Sequence, residues 1–211
     1  MHKRNKRMKE EVNQMNLLEF NIDSYQDLIN INQKKYNKVE LCSNKFKPTT
    51  ASRGLMSEIR KYTNENNISL NVTISPDSTK YNFNDNEIKI MEADIFSAQE
   101  LGIDGIKLNI LSDNNELDKE ALEQLSAAAA GMQLTFGEAF EEIPNDKQKE
   151  SLSWLNKHGI TRLKISSKNI NDNLLKEAKN NNIQVVPIIK DINLIDKLNE
   201  KFPLKEFSLI N

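Results

Sequence analysis

The feature that most constrains the fold of this chain is the regular alternation of short β-like runs with amphipathic helical patterns. Eight runs have the composition and periodicity of strands, and seven helical patterns separate them. The predicted strands are Leu17–Ile22, Lys38–Cys42, Ser69–Ile74, Gly105–Leu111, Met132–Phe136, Thr161–Ile165, Gln184–Ile189 and Lys205–Ile210. The predicted helices are Tyr25–Lys35, Ser52–Asn66, Asn84–Leu101, Asp118–Ala130, Asp146–His158, Asn171–Asn180 and Leu194–Lys201. This pattern is typical of parallel strands joined by right-handed crossovers, and it predicts an α/β fold, a (β/α)8 TIM barrel that lacks the last helix.

The sequence of 211 residues divides into two predicted segments of unequal size. Residues 1–15 are rich in Lys and Arg and predict a basic amino-terminal arm or helix, while residues 16–211 predict a single TIM-barrel domain. No apolar run follows the basic segment, so we expect neither a secretory signal nor a membrane span. Because no helix follows the last predicted strand, we expect the arm, or a second subunit of a homo-oligomer, to cover the seam between strands eight and one.

The charge balance and the cysteine content limit the partners and the metal sites that this chain can have. Lys and Arg total 29 and Asp and Glu total 31, so no charge excess favours nucleic acid or a membrane surface as a partner. Cys42 is the single cysteine of the chain. An intramolecular disulfide and a four-thiolate metal centre are therefore excluded, and a cytoplasmic location fits best.

Polar side chains alternate with apolar ones along most of the predicted strands. In a barrel wrapped by helices the outward strand face is apolar, so the polar side chains of the alternation should point inward. This inward set contains Glu19, Asn21, Glu40, Cys42, Asn71, Thr73, Ser75, Lys107, Asn109, Gln133, Thr135, Gly137, Arg162, Lys164 and Ser166. Such an interior fits a binding site or a charge-neutralised core. Because alternate strands share a layer, we expect Glu40 to lie near Lys107 and Lys164, with Glu19 at the neighbouring level.

The candidate pocket residues are Glu19, Glu40, Lys107, Thr135, Glu138 and Lys164. No nucleophile, base and orienting group form a complete catalytic motif, so we expect no hydrolytic or redox activity. Cys42 ends the second predicted strand, at the face where TIM-barrel sites lie, and a soft thiolate there is a candidate ligand for Cu(I). The alternative is a small buried thiol that behaves as a hydrophobic side chain.

Several segments resemble the copper homeostasis protein CutC family, whose members are (β/α)8 barrels. They are LLEFNIDS at the first predicted strand, KVELCSNKFKPTTASRGLMSEIR from Lys38 to Arg60, LGIDGIKLNILSDNNELD at the fourth strand, LTFGEAFEEIP from Leu134 to Pro144, and HGITRLKISS after it. The matches cover about residues 17 to 170 in the expected order. The resemblance implies a cytoplasmic protein associated with copper homeostasis, with copper as a candidate ligand.

The chain departs from the family pattern near the ends of three predicted strands. Gly137 and Glu138 stand where the family has His-Arg, the segment Ser75–Asp77 stands where it has Arg-Pro-Arg, and Lys190–Leu194 replaces a Gly-rich turn. The resemblance therefore implies that a family site for an anionic ligand is largely absent from this chain. Three hypotheses stay open: a copper-handling protein that uses Cys42, a TIM-barrel enzyme or small-molecule binder of unknown substrate, and a diverged member that has lost the ancestral site.

Overall fold

The computed structural model describes residues 16–31 and 36–210, and their strands form one closed parallel barrel. The strands are β1 (Leu17–Ile22), β2 (Lys38–Leu41), β3 (Ser69–Thr73), β4 (Gly105–Leu108), β5 (Gln133–Phe136), β6 (Ile160–Ser166), β7 (Gln184–Ile189) and β8 (Glu206–Leu209). Each strand pairs with its neighbours in chain order, and β8 pairs with β1 to close the barrel. The predicted TIM barrel is confirmed.

Seven α-helices of the described residues connect the strands. They are α1 (Tyr25–Asn30), α2 (Arg53–Glu65), α3 (Asp85–Glu100), α4 (Lys119–Ala128), α5 (Asn145–Lys157), α6 (Asp172–Asn180) and α7 (Leu194–Lys201). Five of them begin after a side chain that accepts a backbone N–H of the first turn; these capping residues are Ser24, Ser52, Asn84, Asp118 and Asn171. Such caps satisfy N–H groups that have no partner inside the helix, so the short polar residues fix where each helix begins.

Two predicted elements end at least three residues earlier in the structure than the sequence pattern predicts. The helix predicted over Tyr25–Lys35 ends at Asn30, because Ile31 is extended, with φ −70° and ψ 134°; residues 32–35 lie outside the described residues. The strand predicted over Gly105–Leu111 ends at Leu108. There the Asn109 side chain accepts the N–H of Ala139 and Leu111 bridges to Leu117, so the chain leaves the sheet before the apolar run ends.

The outward strand faces and the inner helix faces form the apolar core. Val39 and Leu41 of β2 and Val72 of β3 are fully buried, as are Met56 and Ile59 of α2, and all five belong to one cluster of buried apolar residues. Burying one such side chain contributes about 1.5 to 3 kcal/mol relative to leaving it exposed. The helices therefore occupy the apolar strand face and leave the polar face to the barrel interior.

The seam between β8 and β1 closes the barrel at the place where the sequence predicts a missing helix. Phe207 and Leu209 point outward from β8 and are buried, whereas Leu17 at the start of β1 is 43% exposed. The predicted arm, residues 1–15, lies outside the described residues, so its role as a cover stays a prediction, and so does the homo-oligomer. In the part of the chain that the structure describes, no helix is long and apolar enough to cross a membrane.

Alanine substitutions at two glycines should have different effects on the stability of the protein. A Cβ at Gly105, at the start of β4, would lie 2.5 Å from Asn71 Oδ1 and 2.7 Å from the backbone oxygen of Gln133, whereas a Cβ at Gly54 on α2 would meet open space. We expect Gly105→Ala to lower the free energy of unfolding by about 1 to 3 kcal/mol. Gly54→Ala should leave it unchanged or raise it by up to about 1 kcal/mol. Urea denaturation measures both, and equal effects would contradict the close approach at Gly105.

Candidate functional site in the barrel interior

Polar and charged side chains from the inward strand faces fill the barrel interior. Glu19, Glu40, Lys107, Arg162 and Lys164 are each at most 2% exposed. The other buried polar residues of the interior include Asn21, Asn71, Thr73, Thr135, Glu206 and Ser208. Ions are rarely buried unless they are paired and hydrogen-bonded, so the contacts of these side chains decide what the interior can do.

Four carboxylates and four cations of the described residues form one continuous series of ion pairs with alternating sign, here named the charge chain. Its order is Lys38, Glu206, Arg162, Glu19, Lys164, Glu40, Lys107 and Glu138. The N–O distances between successive members are 3.5, 2.5, 2.8, 2.7, 2.7, 2.9 and 3.3 Å. The charge chain runs from the amino face of the barrel, at the start of β2, to the carboxyl face, just after β5, and its formal charges cancel.

Lys164 of β6 lies at the centre of the charge chain. Its Nζ donates to Glu19 Oε1 at 2.7 Å, to Glu40 Oε2 at 2.7 Å and to Asn21 Oδ1 at 3.1 Å. Glu40 also contacts Lys107 Nζ at 2.9 Å. The predicted proximity of Glu40 to both lysines is therefore confirmed, and Glu19 lies beside them as expected.

The first three members of the charge chain, Lys38, Glu206 and Arg162, are absent from the set of pocket residues predicted from the sequence. The Arg162 guanidinium donates to Glu19 at 2.8 Å, to Glu206 at 2.5 Å and to the predicted pocket residue Thr135 at 3.1 Å. Lys38 Nζ lies 3.5 Å from Glu206. Glu206 could be predicted as an inward residue because it alternates with the outward apolar residues of β8. The same alternation places Arg162 of β6 inside the barrel.

Glu138 ends the charge chain at the carboxyl mouth of the barrel, in a short 3-10 helix that follows β5. Its carboxylate contacts Lys107 at 3.3 Å and accepts from Asn109 Nδ2 at 3.3 Å. Asn109 in turn accepts the N–H of Ala139, and a Cβ at Gly137 would lie 2.5 Å from Asn109 Oδ1. Gly137 therefore allows the approach of Asn109 that holds Glu138 beside Lys107.

The electrostatics of the interior keep several of these groups ionised. Burial alone would raise the pKa of Glu19, but Arg162 and Lys164 lower that pKa well below its ordinary value. Burial would likewise lower the pKa of Lys107, but Glu138 and Glu40 raise it above its ordinary value. These two groups carry fixed charges near neutral pH, so neither is poised to exchange a proton in catalysis.

Cys42 lies just after β2, at the carboxyl face, and its side chain is only 2% exposed. Its Sγ donates to the carbonyl oxygen of Ile22 at 3.7 Å. Burial, and then the Glu40 carboxylate, raise the pKa of the thiol to about 12, so it is protonated at neutral pH. In residues 16–31 and 36–210 no three His, Cys, Asp or Glu side chains are grouped so that they could hold a metal ion, and Cys42 as a copper ligand stays a prediction.

Comparison with known proteins identifies the family. The model of the CutC family matches residues 16–190. The chain belongs to the CutC family. A CutC family protein from Enterococcus faecalis is 34% identical over 146 residues, which are 69% of this chain and 70% of that protein. The human copper homeostasis protein cutC homolog is 30% identical over 60% of this chain, and the match spans 46% of its length, slightly under half.

Solved structures agree with this assignment. A crystal structure described as a CutC copper homeostasis protein from Streptococcus agalactiae has a TM-score of 0.83 and 33% identity, and the match covers 92% of this chain and 98% of that one. An HpcH/HpaI aldolase from Desulfitobacterium hafniense has a TM-score of 0.61 at 9% identity, with 92% and 85% covered. That second likeness shows the barrel fold alone. The family names associate the chain with copper homeostasis.

Removing one member of the charge chain should destabilise the barrel more than removing two. Glu40→Leu leaves Lys107 and Lys164 buried with one carboxylate fewer, and we expect it to lower the free energy of unfolding by roughly 3 to 5 kcal/mol. The double variant Glu40→Leu with Lys164→Met leaves two neutral halves of the charge chain and should recover part of that loss. Urea denaturation of both variants tests this.

The matched control for the double variant is Glu40→Leu with Lys119→Met. Lys119 pairs with Glu150 on the outer surface, so its removal should recover nothing. If both double variants have the same stability, the buried ion pairs do not govern the cost of Glu40→Leu.

The lowered pKa of Glu19 predicts how the stability of the protein depends on pH. Because the pKa of Glu19 is lower in the folded state than its ordinary value of 4.5, its contribution is fully present above that value and is lost as the pH falls below it. We therefore expect the free energy of unfolding to decrease between about pH 5 and pH 3. Glu19→Gln should make this decrease shallower, as measured by urea denaturation at several pH values. An identical slope in the variant would show that Glu19 carries no such linkage.

Proposed function

We propose that this chain serves in copper homeostasis as a cytoplasmic Cu(I)-binding protein rather than as an enzyme, with Cys42 as its protein ligand. The observation that carries the proposal is the position of the chain's single thiol at the carboxyl face of a CutC-family barrel. Sites in TIM barrels lie at this face, and soft sulfur ligands select Cu(I). The names of the relatives support copper as the ligand.

The pKa values and ion pairs of the interior side chains support a binding protein rather than an enzyme. A general acid or base needs a pKa near the working pH and a free approach to its substrate. Glu19 and Lys107 have pKa values shifted away from neutrality, and each is held by two oppositely charged neighbours. These side chains are therefore occupied with one another rather than with a substrate.

One sulfur does not complete a copper site. Within residues 16–31 and 36–210 Cys42 belongs to no group of three or more His, Cys, Asp or Glu side chains that could hold a metal ion, and we propose a second subunit as the source of a second soft ligand. The Cys42 side chain is buried, so the segment after β2 has to move when copper enters. Light scattering with and without Cu(I) tests this, since one chain has a mass of 24.3 kDa and a copper-linked pair twice that.

The raised pKa of Cys42 predicts how copper affinity depends on pH. The thiol, with a pKa of about 12, must lose its proton to bind Cu(I) as a thiolate. Below that pKa we expect the affinity to rise about tenfold for each pH unit, because one proton is released for each ion bound. Competition with a chromophoric Cu(I) chelator under anaerobic conditions at several pH values measures this slope.

Two variants decide whether Cys42 is the ligand. Cys42→Ala should lower the Cu(I) affinity by more than about 100-fold, because a direct ligand is lost rather than an outer partner of one. Met56→Leu removes a buried sulfur of α2 and is the matched control, which should bind as the wild type does. Equal binding by Cys42→Ala and the wild type, or an affinity that does not change with pH, would contradict the proposal.

A further inference from the structure

An apolar groove lies at the amino face of the barrel, between α6 and the segment that leads into β8, and has a volume of about 530 Å³. Its apolar lining residues are Leu175, Ala178, Ile183, Val185, Pro203 and Leu204. The polar lining residues are all exposed; they are Lys179, Asn182, Gln184 and Lys205. Sites for small molecules combine an apolar lining with polar groups that converge inside the cavity. This groove has its polar groups at the rim instead, so it suits the apolar side chains of a polypeptide segment.

The first described residues of the chain lie at the rim of this groove. The N–H of Leu17 donates to the carbonyl oxygen of Lys205 at 2.9 Å, and Nδ2 of Asn199 in α7 donates to Asn16 Oδ1 at 3.3 Å. Because Lys205 itself lines the groove, residues 1–15 join the barrel beside it. A helix of about 15 residues is about 22 Å long, and an extended segment is longer. The segment is therefore long enough to reach across the groove to α6.

The sequence of residues 1–15 contains an apolar pattern that fits such a groove. Met8, Val12 and Met15 follow one another at spacings of four and three residues, and every position between them is polar or charged. This spacing places the three side chains on one side of a predicted helix. Methionine side chains are unbranched and adapt to irregular apolar surfaces. The pattern therefore predicts a narrow apolar side that can be buried only against another part of the protein.

The charges of the segment and of the groove are complementary near the place where they meet. Lys179 and Lys205 line the groove, and neither forms an ion pair with another of the described residues. Glu10 and Glu11 are the acidic residues of the segment, and on a predicted helix Glu11 lies next to the side that carries Val12. Exposed ion pairs contribute little free energy, so these charges would orient the segment while the apolar contacts hold it.

We propose that residues 1–15 bind in the groove of their own chain, with Met8, Val12 and Met15 against its apolar lining and Glu11 beside its lysines. A tethered segment has a high effective concentration at a nearby site, so a few apolar contacts are enough to keep it bound. The groove lies at the amino face and Cys42 lies at the carboxyl face. Binding of the segment is therefore independent of copper binding.

Limited trypsin digestion of the full chain tests the binding, with mass spectrometry to follow cleavage after Arg7. We expect Val12→Asp to speed this cleavage by about tenfold or more, because a charge is costly in an apolar groove and proteolysis follows the fraction of molecules in which the segment is free. Asn13→Asp introduces the same charge on the opposite side of the predicted helix and should be cleaved as the wild type is. Equal rates for Val12→Asp and the wild type would overturn the proposal.

A variant of the groove then locates the binding without changing the segment that trypsin cleaves. Leu175→Ser should speed cleavage after Arg7 as Val12→Asp does, and the double variant should be cleaved no faster, because both changes remove the same contact. The matched control is Leu55→Ser, since Leu55 is also a partly buried leucine packed against the core but lies on α2, outside the groove.

Three outcomes would contradict the assignment. Equal acceleration by Leu55→Ser would show that the general stability of the barrel governs the cleavage. Additive acceleration in the double variant would show that Val12 and Leu175 are not in contact. Protection that increases with protein concentration would place the segment in the groove of a second copy rather than in its own.

Discussion

The pairing of buried charges inside the barrel is the interaction on which the rest of this structure depends. Lys164 of β6 reaches Glu19 of β1 and Glu40 of β2, so its contacts join strands that are far apart in the sequence. An unpaired ion in this interior costs several kcal/mol, and a slip of one residue in a strand would turn its charged side chain out among the helices. The charge chain thus favours one register for the strands that supply it, whereas apolar layers tolerate many repackings.

Much of this arrangement is visible in the sequence because two periodicities coexist in it. The alternation of strands with helices predicts the barrel, and the alternation of side chains within strands predicts that Glu40, Lys107 and Lys164 share the interior. The alternation along a strand predicts on which face of the sheet a residue lies. It does not predict which other side chains that residue contacts. This is why the role of Arg162 as a bridge between two carboxylates could not be predicted from the sequence.

Features that depend on packing between strands also could not be predicted from the sequence. Glu138 is held beside Lys107 because Asn109 approaches the bare Cα of Gly137, and nothing in either segment alone predicts that contact. The end of α1 at Asn30 and the end of β4 at Leu108 are similar cases, in which local backbone and side-chain contacts override a longer apolar pattern. The membership of the CutC family, by contrast, could be predicted from segments that keep their order along the chain.

The two ends of the charge chain differ in how many side chains of the barrel hold them. At the amino face Lys38 binds both Glu206 and the side chain of Gln133, and Gln184 donates to Glu206, so this end is closed by side chains of the barrel itself. At the carboxyl face Glu138 is partly exposed and lies 3.3 Å from both Lys107 Nζ and Asn109 Nδ2. Lys107 pairs with Glu40 as well as with Glu138, so a substitution at Glu138 leaves every buried cation of the charge chain with at least one carboxylate. A substitution at Glu19 or Glu40 instead removes a carboxylate that bridges two buried cations, and the fold therefore depends more on the interior members than on Glu138.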